Sequence, residues 1–308
     1  MIKKKIFLIL LFFFSSSYAF SNENVFISVY VDDKIITNID IKKESEYLKI
    51  LNPNLEKLEV NKIREIAKKS LINEIIKKEE INKFLDLKKN NPLENEMLDN
   101  LYNKLNVDQN SFKNILINNK SYTLNEVKEK LKVEIFWNDL IYLRYKNQIK
   151  IDKDSLSNKI ASLSNNEVKE YSLLEIIFEK NKDENLDVLI GKIKNSISEI
   201  GFNNTANIYS ISDSSKFGGK IGWVEETSLS KKITNELDNL KIGEYTNIIQ
   251  IGNNFLILMV DDIKFKKLSI NKEDELKKMI KFETNKQLTQ FSKIFFNKSK
   301  INYRINDN

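Results

Sequence analysis

Along this chain the apolar positions change their period several times, and each period predicts an element. Val25, Ile27, Val29 and Val31 alternate at period two, Asp32-Asp33-Lys34 turns the chain and Ile35-Ile36 returns, which predicts a hairpin over 25–36. Asn38 stands where a helix cap is expected, before a helix that ends ahead of Pro53. Spacings of three and four then mark a run of helices. One carries Ile63, Ile66, Ala67, Leu71 and Ile75, and another starts after Pro92 with Met97, Leu98 and Leu101. A short helix holds Phe112, Ile115 and Leu116, and a long one runs from Leu124 through Val127, Leu131 and Ile135 towards Tyr145. The last of this half bears Leu156, Ile160 and Leu163. Each has one apolar stripe and a Lys/Glu/Asn face, the mark of helices packed on a shared core.

After a linker at Ser164-Asn165-Asn166 the period shortens. Tyr171 to Phe178 is nearly continuous in apolar residues, which predicts a strand buried on both faces. Leu186, Leu189, Ile193, Ile197 and Ile200 predict a helix that Gly201 closes. Residues 209–224 read as a Ser/Gly-rich loop, Ile233, Leu237 and Leu240 as a helix stopped by Gly243, and 246–260 as a hairpin turning at Gly252. The expected order is β-α-loop-α-β-β, a compact α+β unit. Helical spacing returns after Lys266, with Asn271 as cap and Leu276, Ile280, Leu288, Phe291 and Phe295 on one face. Ile301, Tyr303 and Ile305 alternate at the end like a strand, and a lone strand needs a partner. The N-terminal hairpin is the available one, so the end of the chain is expected to return to its beginning.

All seven Gly of the 308 residues fall between Gly191 and Gly252, which sets the turn-rich middle apart from its flanks. The chain has no Cys and no His, so it holds no Ser-His-Asp or Cys-His relay and no disulfide. Carboxylates alone are poor ligands for zinc or copper, and no metal or other cofactor is expected. The stretch from Ser214 to Gly219 lacks the spacing of a phosphate-binding loop, since Ser214 stands where its first Gly belongs. Adjacent carboxylates at Asp32-Asp33, Glu225-Glu226 and Asp261-Asp262 would point to opposite sides of a strand and read as turn and edge charges.

Three Lys at 3–5, a run of apolar residues over 6–14 and small residues ending in Tyr18-Ala19 form the layout of a secretory signal, cleaved after Ala19. The apolar run is short for a bilayer-spanning helix, which needs about 20 residues, although an uncleaved anchor is the alternative. Loss of 1–19 takes 50 basic groups to 47 against 44 acidic, a net charge of +3. With lysines and acids alternating throughout, no concentrated basic face for nucleic acid is expected. An exported protein without stable membrane insertion is expected.

The run YSISDSSKFGGKIGW (209–223), with LSKKITNELDNLKIGE (229–244) and GNNFLILMV (252–260), resembles the parvulin family of peptidyl-prolyl isomerases. The flanks, VYVDDKIITNIDI, REIAKKSLINEIIKKE, RYKNQIKI and the C-terminal helix and strand, are similar to the SurA family of periplasmic chaperones. The resemblance implies an α+β fold: a mainly helical SurA-type N-terminal domain, completed by the C-terminal helix and strand, with one inserted parvulin-like α+β domain. It implies a signal peptide at 1–19, the helical domain at 20–165, the parvulin-like domain at 166–265, and 266–308 packing back on the first domain. It further implies an ATP-independent chaperone for unfolded outer-membrane proteins, with the outer-membrane assembly machinery as a further partner.

Carried over by position, the two family His fall at Glu175 and Leu256, and the family Cys or Asp falls at Ser212 or Asp213. The proline-binding wall falls at Leu229, Ile233 and Phe255. With both imidazoles replaced, the resemblance implies a degenerate isomerase that is weak or inactive, and a working one as the alternative. Glu175 on a buried strand requires a partner such as Tyr171 or Lys220, or a proton. Phe136, Trp137 and Tyr142 on the long helix are candidate client contacts, with the core as their other placement.

Overall fold

The computed structural model describes residues 24–162, 167–180, 184–267 and 272–308. The signal segment, the linker at Ser164–Asn166 and the cap at Asn271 lie outside the described residues. The hairpin forms from β1 (Ile27–Val31) and β2 (Lys34–Thr37), with Val31 opposite Lys34 across a turn that puts Asp32 at φ 51°. Asp tolerates that left-handed conformation better than a branched residue. β7 (Ile305–Asp307) pairs antiparallel with the other edge of β1, Ile305 opposite Val31, so the two ends of the chain share one sheet in the order β2-β1-β7. The strand starts later than the alternation predicts, because Ile301 is 83% exposed and Tyr303 instead reaches inward to donate to Glu80 at 2.7 Å.

Thr37, not Asn38, caps α1 (Asn38–Leu51). Its hydroxyl accepts from the Asp40 amide while the Asp40 carboxylate accepts from the Thr37 amide, a reciprocal capping box. Asn38 turns back instead, accepting from the Phe26 amide and donating to the Asn24 carbonyl. Helices α2 (Val60–Asn82), α3 (Leu93–Leu105), α4 (Gln109–Asn118), α5 (Leu124–Tyr145) and α6 (Lys153–Ser162) follow. The stripes of α1 to α5 meet in a core that includes Leu48, Leu55, Ile76, Phe112 and Val127. A second core is closed by α9 (Lys272–Lys300): Phe291 stacks on Tyr145 at 4.7 Å, Phe295 lies 5.5 Å from Trp137, and the Trp137 ring N–H donates to Ser292. Phe136 and Trp137 are therefore core residues, and only Tyr142 of the three candidate contacts is exposed.

The glycine-bearing middle holds a four-stranded antiparallel sheet in the order β4-β3-β6-β5. Its strands are β3 (Glu167–Phe178), β4 (Lys220–Glu225), β5 (Ile249–Ile251) and β6 (Asn254–Lys267). β3 is interior to the sheet, which explains its continuous apolar run. One face buries Tyr171, Leu173 and Ile177 with Leu256, Leu258 and Val260. The opposite face buries Leu174, Ile176, Phe178 and Ile257 against α7 (Leu186–Tyr209). α8 (Lys231–Leu237) adds Leu237 to the first face.

Three differences from the periodicity stand out, each with a local cause. Gly201 closes the first helix of α7 as expected, at φ 81°, ψ 164°, but a second helix that the periodicity did not announce follows at once and places Phe202 and Ala206 on the sheet. β4 lies inside the segment expected to be a loop, because glycines that punctuate a strand read as turn signals. β6 runs past Val260 to Lys267 along the first half of β3. Among the described residues no helix is long and apolar enough to cross a membrane.

Candidate functional site

The loop from Ser210 to Gly219 lies along the edge of β3 where β4 stops. The Ile177 amide donates to the Ser210 hydroxyl, the Ile211 amide to the Ile177 carbonyl at 2.7 Å, and the Glu175 amide to the Gly219 carbonyl at 2.8 Å. Gly219 has φ 83°, and a Cβ there would sit 2.4 Å from the Glu175 carbonyl oxygen, so only glycine lets the loop approach this closely. A 3₁₀ turn over Asp213–Phe217 then folds the loop back over the strand.

This geometry gives Glu175 its partners. Its Oε1 accepts from the Ser212 hydroxyl in a short contact and from the Ser214 hydroxyl at 2.9 Å, while Ser214 also lies 3.0 Å from Ser212. The expected partners do not serve: Tyr171 packs in the core, and Lys220 Nζ lies 3.9 Å from Asp261. Ser212 thus joins Glu175, whereas Asp213 is 69% exposed in its side chain and turns to Lys77 Nζ at 3.1 Å. Leu256 sits opposite Ile177 on the same face as Leu229 and Ile233. It supplies apolar surface and no hydrogen bond.

The apolar wall is not assembled as the family positions suggest. Leu229 and Ile233 join Leu256, but Phe255 packs on the other face, stacked on Phe178 at 5.5 Å. Neighbours on a strand point to opposite faces, so Phe255 and Leu256 cannot both line one pocket.

The same loop is pinned to the helical part by ions that the sequence does not single out. Glu134 of α5 takes Lys77 of α2 at 2.6 Å and Lys216 of the loop at 3.0 Å. Burial opposes charge on all three. Lys216 and Lys77 nevertheless hold the Glu134 carboxyl well below the usual carboxylate range, and the acids around both lysines raise them above theirs. Lys104 of α3 stands over the Phe217 ring at 3.5 Å, and Asn52 donates to Asn207 at 2.6 Å. On a helix such Lys and Glu read as a solvated face, so no local signal distinguishes them.

Between the helical part, the loop and α9 lies a chamber of about 1160 Å³. Glu175 and Ser212 open onto it from one side, Lys69 and Trp137 from a second, Lys293 and Phe296 from a third. Among the described residues no group of three or more carboxylates is placed to hold a metal ion.

Residues 172–262 match the rotamase family, the PPIC-type PPIase domain, and this segment of the chain is such a domain. The periplasmic chaperone PpiD of Buchnera aphidicola subsp. Schizaphis graminum is 30% identical over 199 residues, covering 59% of this chain and 30% of that protein. The chain thus spans under a third of the length of this curated relative. Among solved structures, a SurA-like chaperone of Campylobacter jejuni is 15% identical, covering 92% of this chain and 98% of its own, at a TM-score of 0.35. PrsA of Bacillus subtilis is 17% identical, covering 87% and 90%, at a TM-score of 0.29.

Proposed function

We propose that this protein is an ATP-independent periplasmic chaperone that holds unfolded outer-membrane β-barrel proteins and aids their assembly, its PPIase domain serving to bind and turning over little. The observation that carries this reading is the state of the family's polar cluster. A carboxylate held by two serines and a leucine stand at the two imidazole positions, and the cluster opens onto a chamber wide enough for an extended chain. Rotation about a prolyl bond crosses a barrier of about 18–20 kcal/mol. Glu175 is engaged by its own loop and Leu256 has no donor, so neither supplies the hydrogen bonding of an imidazole pair.

Binding needs less. Barrel strands alternate apolar residues outward and aggregate if left in water. Contacts of micromolar strength, about −8 kcal/mol, shield them and still exchange without nucleotide. The kinship with a protein named a periplasmic chaperone supports the compartment and the class of activity. In this proposal 1–19 is a leader removed on export, 20–165 and 266–308 make one body, 166–265 is the inserted domain, and the outer-membrane assembly machinery receives the client.

A second reading, an active prolyl isomerase, is favoured by the family match itself and by the retained apolar wall of Leu229 and Ile233. Two assays separate them: suppression of aggregation of an unfolded porin against an unfolded soluble enzyme, and protease-coupled isomerisation of a short Xaa-Pro peptide. Protection of the porin with isomerisation near the uncatalysed rate is expected. Turnover at ordinary parvulin rates, with no preference for the porin, would replace the chaperone reading by the enzymatic one.

A further inference from the structure

The chamber has an uneven charge economy. Elsewhere the buried lysines have acids: Lys77 has Glu134, Lys130 has Glu44 and Glu74, and Lys132 has Glu94. The acids on the chamber wall are also taken. Glu74 is held by Lys130 and Lys78, Glu134 by Lys77 and Lys216, and Asp213 by Lys77. Glu175 is held by Ser212 and Ser214, and Glu179 accepts from Asn297 at 2.7 Å.

Lys69, Lys293 and Lys300 are the exception. All three line the chamber, as does the exposed Lys180, and among the described residues none of the four forms an ion pair. Lys69 donates only to the Ile208 carbonyl, at 3.3 Å. Burial pushes the Lys69 ammonium down and Lys300 pushes it further, with Glu179 offsetting part of the effect; burial lowers Lys293 as well, with Glu175 and Asp213 offsetting part of it. A half-buried ammonium with acids near it but no ion-pair partner is only partly compensated, and three lining one space form a site that an anion would relieve.

Two further groups point to a peptide. Asn73 Oδ1 and Asn207 Nδ2 are buried without hydrogen-bond partners, and both residues line the same chamber. An orphan acceptor and an orphan donor match the N–H and C=O of an extended backbone. Ile141, Leu288 and Phe296 supply the apolar wall.

We infer that the chamber is a carboxylate-binding site for an extended peptide, in which Lys69, Lys293 and Lys300 take the acid and Asn73 and Asn207 take the backbone. The inference rests on the client-binding reading and adds its substrate class: stretches that combine aromatic residues with Asp or Glu, or end in a free carboxylate.

The test uses the purified protein and fluorescein-labelled twelve-residue peptides of alternating aromatic pattern, read by anisotropy. One peptide bears two internal Asp with an amidated end, a second has Asn in their place, and a third is the Asn peptide with a free C-terminal carboxylate. The Asp peptide, the free-acid peptide or both are expected to bind about tenfold tighter than the amidated Asn peptide, and which one does so assigns the source of the carboxylate. Lys293→Gln and Lys300→Gln, made separately, should each remove most of that preference. Their melting temperatures should stay level or rise, because each removes an unpaired ammonium. Equal binding of all three peptides, or a preference that survives both substitutions, would overturn the inference. That outcome leaves the chaperone reading standing if the porin is still protected. Loss of porin protection with the carboxylate preference intact would overturn the chaperone reading alone.

Discussion

The Ser214 hydroxyl lies 2.9 Å from Oε1 of Glu175, the same oxygen that accepts from Ser212. One carboxylate oxygen therefore takes two hydroxyls from a loop far along the chain, and Glu175 ties that loop to the sheet. Removing one donor leaves the other, whereas removing the acceptor takes a partner from two hydroxyls at once and leaves them only each other, 3.0 Å apart. Ser214→Ala should cost about 1 kcal/mol of unfolding free energy and Glu175→Leu about 2–3 kcal/mol. Urea denaturation of the three proteins measures both. Equal costs would mean that the carboxylate does not organise the loop.

The ion cluster of Lys77, Glu134 and Lys216 joins three separate segments, and only Glu134 is shared by both lysines. Breaking a buried pair from one side leaves uncompensated charge, which is more harmful than removing the pair. Glu134→Gln is expected to cost about 3–5 kcal/mol and to expose the loop over 210–219 to limited proteolysis at a concentration that leaves the parent intact. Lys216→Met, which leaves Lys77 and Glu134 together, should cost less. A Glu134→Gln protein with unchanged proteolysis would show that other contacts hold the loop.

Acid should weaken the fold through Glu74. Burial alone would raise this carboxyl, but Lys130 and Lys78 outweigh it and hold it at about 2, against 4.5 for a free glutamate. A carboxyl depressed in the folded state contributes its stability above the unfolded value and loses it as pH falls through the folded one. The loss therefore runs from about pH 5 to pH 2 and amounts to about 3 kcal/mol. Glu74→Gln should lower stability at neutral pH and flatten this part of the curve, as followed by urea midpoints at half-unit pH steps. A slope as steep as that of the parent would place the acid sensitivity elsewhere.

The helices were the most legible part of the sequence, because α2 and α5 bury continuous stripes and nothing else competes for those positions. The strands were legible where burial forces a pattern, as in β3, and hidden where glycines interrupt it, as at Gly222 in β4. The candidate site was half visible. Glu175 and Ser212 meet as their positions suggest, and the alternation of Phe255 and Leu256 already forbade a shared pocket. Ser214, Glu134 and Lys216 were invisible, because a serine in a turn and charges on a helix look the same whether they face water or another segment. Their partners lie in segments that only the fold brings together.

Gly219 and Gly191 offer a last contrast within one domain. Gly219 has φ 83° and no room, since an added Cβ would lie 2.4 Å from the Glu175 carbonyl and 3.0 Å from Ala206. Gly191 is helical and has nothing within 4 Å of the same atom. In the second case alanine restricts the unfolded chain and suits the helix, so Gly191→Ala should stabilise by about 0.5–1 kcal/mol. In the first, both the backbone and the neighbouring strand must shift. Gly219→Ala should destabilise by about 2–4 kcal/mol and disturb Glu175 with its two serines. Thermal unfolding separates the two directions, and amide exchange at Glu175, whose N–H bonds to the Gly219 carbonyl at 2.8 Å, reports the local effect. If Gly219→Ala left that amide as protected as in the parent, the close approach of loop and strand would not be what shapes this site.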